Sequence, residues 1–302
     1  MAMASASIRR ACPLLGTFVD ITAGAGPACR DLPAAVDAAM AAVARVHRLM
    51  SFHDPASDVS RLNRGAAAGP VSVDPWTWRV LEAALDLNRR SSGAFDVTFA
   101  PVLQALGLLP PTGNGWPRAG GPAPRDAIEL LPDGDVRFHH PGTRIDLGGI
   151  AKGFAVDCAI EALRAHGAAS GLVDAGGDIA AFGTAAQTIH LRDPRDPSLV
   201  LGAIAIRDEA LASSGGRFDP LASAAAALPA VIDPQTRAPA RTVCGASVRA
   251  PTCMLADALT KVVMIAGEAA GPLLEHFAAA ALIVRPDDTI LVTPTWQAAR
   301  AA

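Results

Sequence analysis

Four short segments carry residue types and spacings that can do chemistry. Residues 144–157 read RIDLGGIAKGFAVD, an extended run that meets Gly148-Gly149 and continues into a helix. Such a turn lets backbone N–H groups approach an anion at a helix N-terminus, and Lys152 adds a cation in the first turn. The segment is neither a GxGxxG fingerprint nor a Walker A loop, and the same turn also serves plain packing. Residues 92–98, SGAFDVT, read either as a helix C-cap before a strand or as a backbone edge against a flat ring, with Asp96 as polar anchor. Residues 255–261, LADALTK, place Asp257 three and four residues before Thr260 and Lys261, on one helix face. An acid and a hydroxyl there can offer oxygen ligands to Mg²⁺, whereas an acid and a lysine form an i,i+4 pair. Residues 231–236, VIDPQT, read as a strand that ends in a turn.

The elements that must position these residues follow from periodicity. Residues 15–23 alternate as a strand, residues 32–50 and 75–90 have helical spacing, and 58–63 form a short helical piece. A strand is expected over 143–147, a helix over 151–166, strands at 172–174 and 179–182 around Gly176-Gly177, and a β-meander over 187–207. Further on come a strand at 242–249, helices near 254–267 and 270–279, and strands at 281–285 and 289–292. Residues 109–125 are rich in Pro and Gly and read as a long surface loop. Helices and strands mix without βαβ alternation, which favours an α+β fold. No repeat and no linker is evident. We expect one domain over residues 13–293, after a flexible stretch 1–12 and before a tail 294–302.

Composition narrows the function. The chain has 302 residues, 51% hydrophobic and 18% charged, with a formal net charge of -3, so it reads as globular. No basic balance argues for nucleic acid, and the lack of Tyr leaves little aromatic surface for stacking bases. The five cysteines form no CxxC pair, which speaks against a disulfide framework or a zinc site and for a reducing compartment. No transmembrane segment, no signal-length apolar run and no apolar stretch before Cys12 is present. The expectation is a cytoplasmic protein, or a periplasmic one if the true start lies elsewhere. The histidines sit where structural roles suffice: His47, His166 and His276 on amphipathic helices, and His139-His140 by a hairpin.

Order and combination carry more than any single segment. Leu15-Gly16-Thr17, Met50-Ser51 through Leu62-Asn63, SGAFDVT at 92–98, DLGGIAKG at 146–153, DAGGD at 174–178, LASSG at 211–215, Ile232-Asp233-Pro234 and ADAL at 256–259 occur in sequence. In this the chain resembles the ApbE family of FAD:protein FMN transferases, over about residues 13 to 293. The resemblance implies a single α+β domain and Mg²⁺-dependent transfer of FMN from FAD to a threonine or serine of a target flavoprotein, with AMP released. It implies FAD contacts at Leu15, His53, Ala94, Phe95, Asp96, Gly148, Lys152, Phe154 and Ile232. It implies Mg²⁺ held by the Ala151 carbonyl, Asp257 and Thr260, and it gives catalytic roles to Asp257 and Asp233.

Four positions depart from the family pattern. The metal helix of the family carries its threonine four residues after the aspartate, where this chain has Lys261. An ammonium cannot ligate a metal, so Lys261 either pairs with Asp257 in place of the ion or points away. The family histidine two residues before Ile232 is Ala230, the stacking tyrosine is His53, and the glycine of DPxTG is Arg237. Two alternatives to transfer therefore stand beside it: a FAD-binding protein of the same fold with impaired catalysis, and a FAD pyrophosphatase giving FMN and AMP.

Overall fold

The computed structural model describes residues 7–110, 124, 126–196, 198–215 and 231–298. Most of the 109–125 loop and Ala230 lie outside the described residues. In chain order the elements are β1 (Ser7–Leu14), β2 (Thr17–Gly24), α1 (Leu32–Met50), α2 (Asp58–Gly65), β3 (Val71–Ser72), α3 (Pro75–Arg90), α4 (Ala100–Ala105), β4 (Ile128–Leu130), β5 (Asp135–Phe138) and α5 (Ala151–Ala165). They continue with β6 (Ser170–Ala175), β7 (Asp178–Phe182), β8 (Gln187–Arg192), β9 (Val200–Ile206), β10 (Glu209–Gly215), β11 (Gly245–Ala250), α6 (Cys253–Ala266), α7 (Gly271–His276), β12 (Ala280–Val284), β13 (Ile290–Val292) and α8 (Pro294–Ala298). The α+β expectation holds. No described helix is long and apolar enough to cross a membrane. The described residues fall into two compact units, one drawn from Met1–Arg45, Lys152–Ile232 and Pro239–Ala302, the other from Val46–Ala151 and Asp233–Ala238.

The first unit is built on an antiparallel sheet in the order β1-β2-β6-β7-β10-β11-β12-β13. Residues 7–12, expected to be flexible, instead pair with β2. Leu15 and Gly16 close this hairpin with φ of +56° and +72°. Two consecutive positive φ values match the twist of the flanking strands, and the non-glycine residue bears the strain. Alternation along the strands sorts the two faces. Asp178, Ala212 and Val248 are register partners, as are Ser214 and Ala246. The small side chains on this face let α6 lie close on β10, β11 and β7. The opposite face buries Ile179, Leu211, Leu282 and Val284 against Leu191, Ile204 and Ile206 of the β8–β9 ribbon and against Trp296. Trp296 is only 1% exposed, so the expected tail 294–302 begins with a helix that seals this core. Each such large side chain contributes about 1.5–3 kcal/mol of burial.

The second unit holds the three-stranded sheet β3-β5-β4 with α2, α3 and α4. Helix α3 starts on the Asp74 cap, whose carboxylate accepts from the Trp76 N–H at 2.9 Å, with Pro75 at the first helical position. The buried Asp58 accepts from the Asp74 N–H and the Thr77 hydroxyl, both at 2.8 Å, and ties α2 to α3. The strand expected over 143–147 is not formed; the segment has one isolated bridge, Arg144 to Phe99. A side chain supplies what a neighbouring strand would: Asn63 donates to the Ile145 carbonyl at 2.9 Å and accepts from the Ile145 N–H at 2.8 Å. Likewise Val231 and Ile232 form no full strand, and Ile232 makes a single bridge to Pro239.

Candidate active site

In the first unit, two glycine-bearing segments bring charges together. The turn at Gly176-Gly177 passes so close to the β1–β2 hairpin that a Cβ on Gly176 would sit 2.4 Å from Thr17 Oγ1. That turn delivers Asp178, 1% exposed, as the first residue of β7. Gly153 lets α5 approach the start of α6, since a Cβ there would lie 2.2 Å from the Cys253 carbonyl oxygen. Asp157, one turn along α5, caps α6 by accepting from the Cys253 and Met254 N–H groups at 2.7 and 2.9 Å. A carboxylate at a helix N-terminus answers both the free N–H groups and the helix dipole.

These constraints set Lys152 against two carboxylates. Its ammonium pairs with Asp178 and lies 3.8 Å from Asp257 Oδ2. The fully buried Asp257 also accepts from the Gly153 N–H at 3.1 Å. Lys261 turns back onto Asp257, pairing with its carboxylate and donating to its carbonyl at 3.0 Å. Of the two orientations open to Lys261, this is the one adopted. Burial raises the Asp257 carboxyl, but Lys152, Lys261 and the Gly153 N–H outweigh it and hold the group below the ordinary aspartate range. Burial, and then the Asp257 charge, push Asp178 the other way, well above that range. Burial would lower Lys152, yet Asp257 and Asp178 keep it firmly protonated.

The donors expected for Mg²⁺ do not fit an ion in this arrangement. Both Asp257 oxygens are engaged, one by Lys261 and the other by the Gly153 N–H. Thr260 is fully buried; its hydroxyl donates to the Asp257 carbonyl at 2.7 Å and lies 2.7 Å from Ser214 Oγ. Asp178, Asp257, Lys152 and Lys261 sum to zero formal charge. An added cation would meet two ammoniums, and two unit charges 4 Å apart at an effective dielectric of 20 repel by about 4 kcal/mol. Among the described residues no three His, Cys, Asp or Glu side chains cluster as a metal site. The Ala151 carbonyl, the third expected ligand, belongs to the first residue of α5.

The second unit gathers the other predicted residues around backbone hydrogen bonds. Segment 92–98 is not a strand but a chain of turns. Ser91 Oγ accepts from the Phe95 N–H at 3.0 Å, and Asn88 donates to the Phe95 carbonyl at 2.7 Å. Ala94 and Phe95 are thereby buried with their backbone fixed. Asp96 folds over Thr98, accepting from its N–H at 2.8 Å and its hydroxyl at 2.7 Å. The Asp146 N–H donates to the Val97 carbonyl at 2.9 Å, so the SGAFDVT and DLGG segments lie side by side. Gly148 is exposed, with its N–H 3.2 Å from Asp146 Oδ2. Burial raises the carboxyls of Asp96 and Asp146; Thr98 opposes it at the first, and the Gly148 N–H and His53 at the second. His53 is exposed and meets Phe52 edge-on, with ring centroids 6.3 Å apart.

The remaining assignments resolve individually. Leu15 sits at the strained tip of the β1–β2 hairpin, and Phe154 and Ile232 are buried. Asp233 closes its own turn: its carboxylate accepts from the Gln235 N–H at 2.8 Å and the Thr236 hydroxyl at 3.0 Å. Gln235 in turn donates to the Ser92 carbonyl at 3.2 Å. Arg237 is exposed with φ +56°, which explains a glycine at this position in the family pattern. Sequence reasoning missed Asp178 and Ser214 as partners of Lys152 and Thr260. Their signals were present, since both lie inside quoted motifs, the GGD turn and the LASSG segment.

The chain is similar to known proteins over most of its length. The ApbE family model matches residues 15–283. A FAD:protein FMN transferase of Treponema pallidum is 30% identical over 92% of this chain and 84% of its own length. The crystal structure of the ApbE protein of Thermotoga maritima superposes with a TM-score of 0.85 at 26% identity, covering 97% of this chain and 99% of that one. The flavin transferase ApbE of Vibrio cholerae has the same fold, with a TM-score of 0.81 at 23% identity over 98% of this chain and 99% of that one. The chain belongs to the ApbE family.

Proposed function

We propose that this protein is a FAD:protein FMN transferase that moves FMN from FAD to a threonine or serine hydroxyl of an acceptor flavoprotein and releases AMP. The observation that supports it is Lys152, held in the first turn of α5 by Asp178 and Asp257. An ammonium fixed in the first turn of a helix suits a pyrophosphate. In the reaction the acceptor oxygen bonds to the flavin-side phosphorus while the bond from that phosphorus to the bridging oxygen breaks. AMP departs with the bridging oxygen, and its charge is met by Lys152. The hydroxyl proton needs an acceptor. Asp233 is assigned that role on the resemblance of Ile232-Asp233-Pro234 to the family motif. Flavin contacts are assigned to Leu15, His53, Ala94, Phe95, Asp96, Gly148, Phe154 and Ile232. Asp257 acts as a positioning residue that keeps Lys152 in place.

The test is incubation of the protein with FAD and an acceptor domain, with and without Mg²⁺, followed by mass spectrometry. Covalent FMN on a threonine or serine, with AMP in solution, is the expected result. Free FMN with AMP would indicate a pyrophosphatase instead. Bound, unchanged FAD would indicate a binding protein, a reading favoured by the pairing of Lys261 with Asp257.

A further inference from the structure

We propose that the Lys261 ammonium is a resident cation on Asp257 that takes the place of a divalent metal, so that FAD is engaged without an ion at this aspartate. The inference rests on the reading of the chain as a FAD-binding transferase. Three observations carry it. Lys261 addresses two acceptors of one residue, the Asp257 carboxylate and the Asp257 carbonyl. The oxygen it leaves is taken by the Gly153 N–H, with a second ammonium, Lys152, 3.8 Å away. The nearby hydroxyl that could serve an ion, on Thr260, is turned to the Asp257 carbonyl and Ser214 inside the protein. With both carboxylates ionised, the two ammoniums balance them. A threonine at 261 would remove the cation that occupies Asp257 and free its carboxylate oxygen for a divalent ion. A divalent ion in the present cluster must displace an ammonium that is four-fifths buried and strand it.

Binding of Mn²⁺ to the full-length protein, read by the electron paramagnetic resonance of the free ion, tests this without reference to turnover. The wild type is expected to bind no Mn²⁺ that Asp257→Asn removes. Lys261→Thr is expected to gain one site, with affinity raised by at least about tenfold. Lys261→Arg keeps a cation at this position and is expected to gain none; a Lys261→Thr that keeps the wild-type circular dichroism and gains no site overturns the proposal. FAD binding, followed by flavin fluorescence, is expected to be unaffected by EDTA in the wild type and weakened by it in Lys261→Thr. One Mn²⁺ per wild-type chain that is lost in Asp257→Asn overturns the proposal, as does a wild type whose FAD affinity collapses in EDTA. Failure to bind FAD under any condition would instead refute the transferase reading.

Discussion

The two compact units hold polar groups away from water by different means. In the first, Asp178, Asp257, Lys152 and Lys261 satisfy one another as charges, with Asp257 fully buried. In the second, Asn63 and Asn88 satisfy backbone groups of Ile145 and Phe95 as neutral amides, and Asp96 is answered by the Thr98 hydroxyl. The first arrangement is a buried, charge-balanced cluster whose Lys152 ammonium is fixed by two carboxylates. The second presents an ordered backbone edge with buried apolar residues. Charges bought at this burial depend on every partner being present, whereas a lost amide orphans only the groups it touched.

The largest effect should come from breaking the charged cluster. Asp257→Asn leaves Lys152 and Lys261 short of their shared anion, and the expected loss is about 3–5 kcal/mol of folding stability, read by urea denaturation. A loss under about 1 kcal/mol would show that the lysines find water instead, and would erase the contrast between the units. In the neutral region, Asn63→Ala orphans the N–H and C=O of Ile145, and about 1–3 kcal/mol is expected in the same experiment. The smallest effect is in acid. Asp257 is held low, so its stabilisation is complete at neutral pH and fades as pH falls below the ordinary aspartate value of about 3.9. Asp96 and Asp146 are held high, so they weaken the fold as pH rises from that same value through their raised ones. Carboxyl titration by NMR should therefore place Asp257 on the acid side of Asp96 and Asp146. The reverse order would mean that Lys152 and Lys261 do not hold Asp257 in solution.

Local order was legible from residues alone. Helix α3 begins and ends where the periodicity does, because the Asp74-Pro75 start and the Ser91-Ser92-Gly93 stop are local signals. The Asp257–Lys261 pair was one of two arrangements that spacing allowed. The 143–147 segment misled, since its alternation reads as a strand while its backbone partner is an asparagine side chain 82 residues away. Residues 7–12 and Trp296 were read as loose ends because their partners, β2 and the β12 side of the sheet, are not encoded in the ends themselves.

The sequence by itself determined the family, the α+β class and the order of the motifs, since these rest on residue types in a row. Only the tertiary structure decided what Lys152 and Lys261 hold. Lys152 meets Asp178 across 26 residues, and Gly153 meets Asp257 across 104, through one glycine-permitted helix contact and one glycine turn. Charge balance is a property of groups within a few ångströms of one another, and chain order does not specify which groups those are.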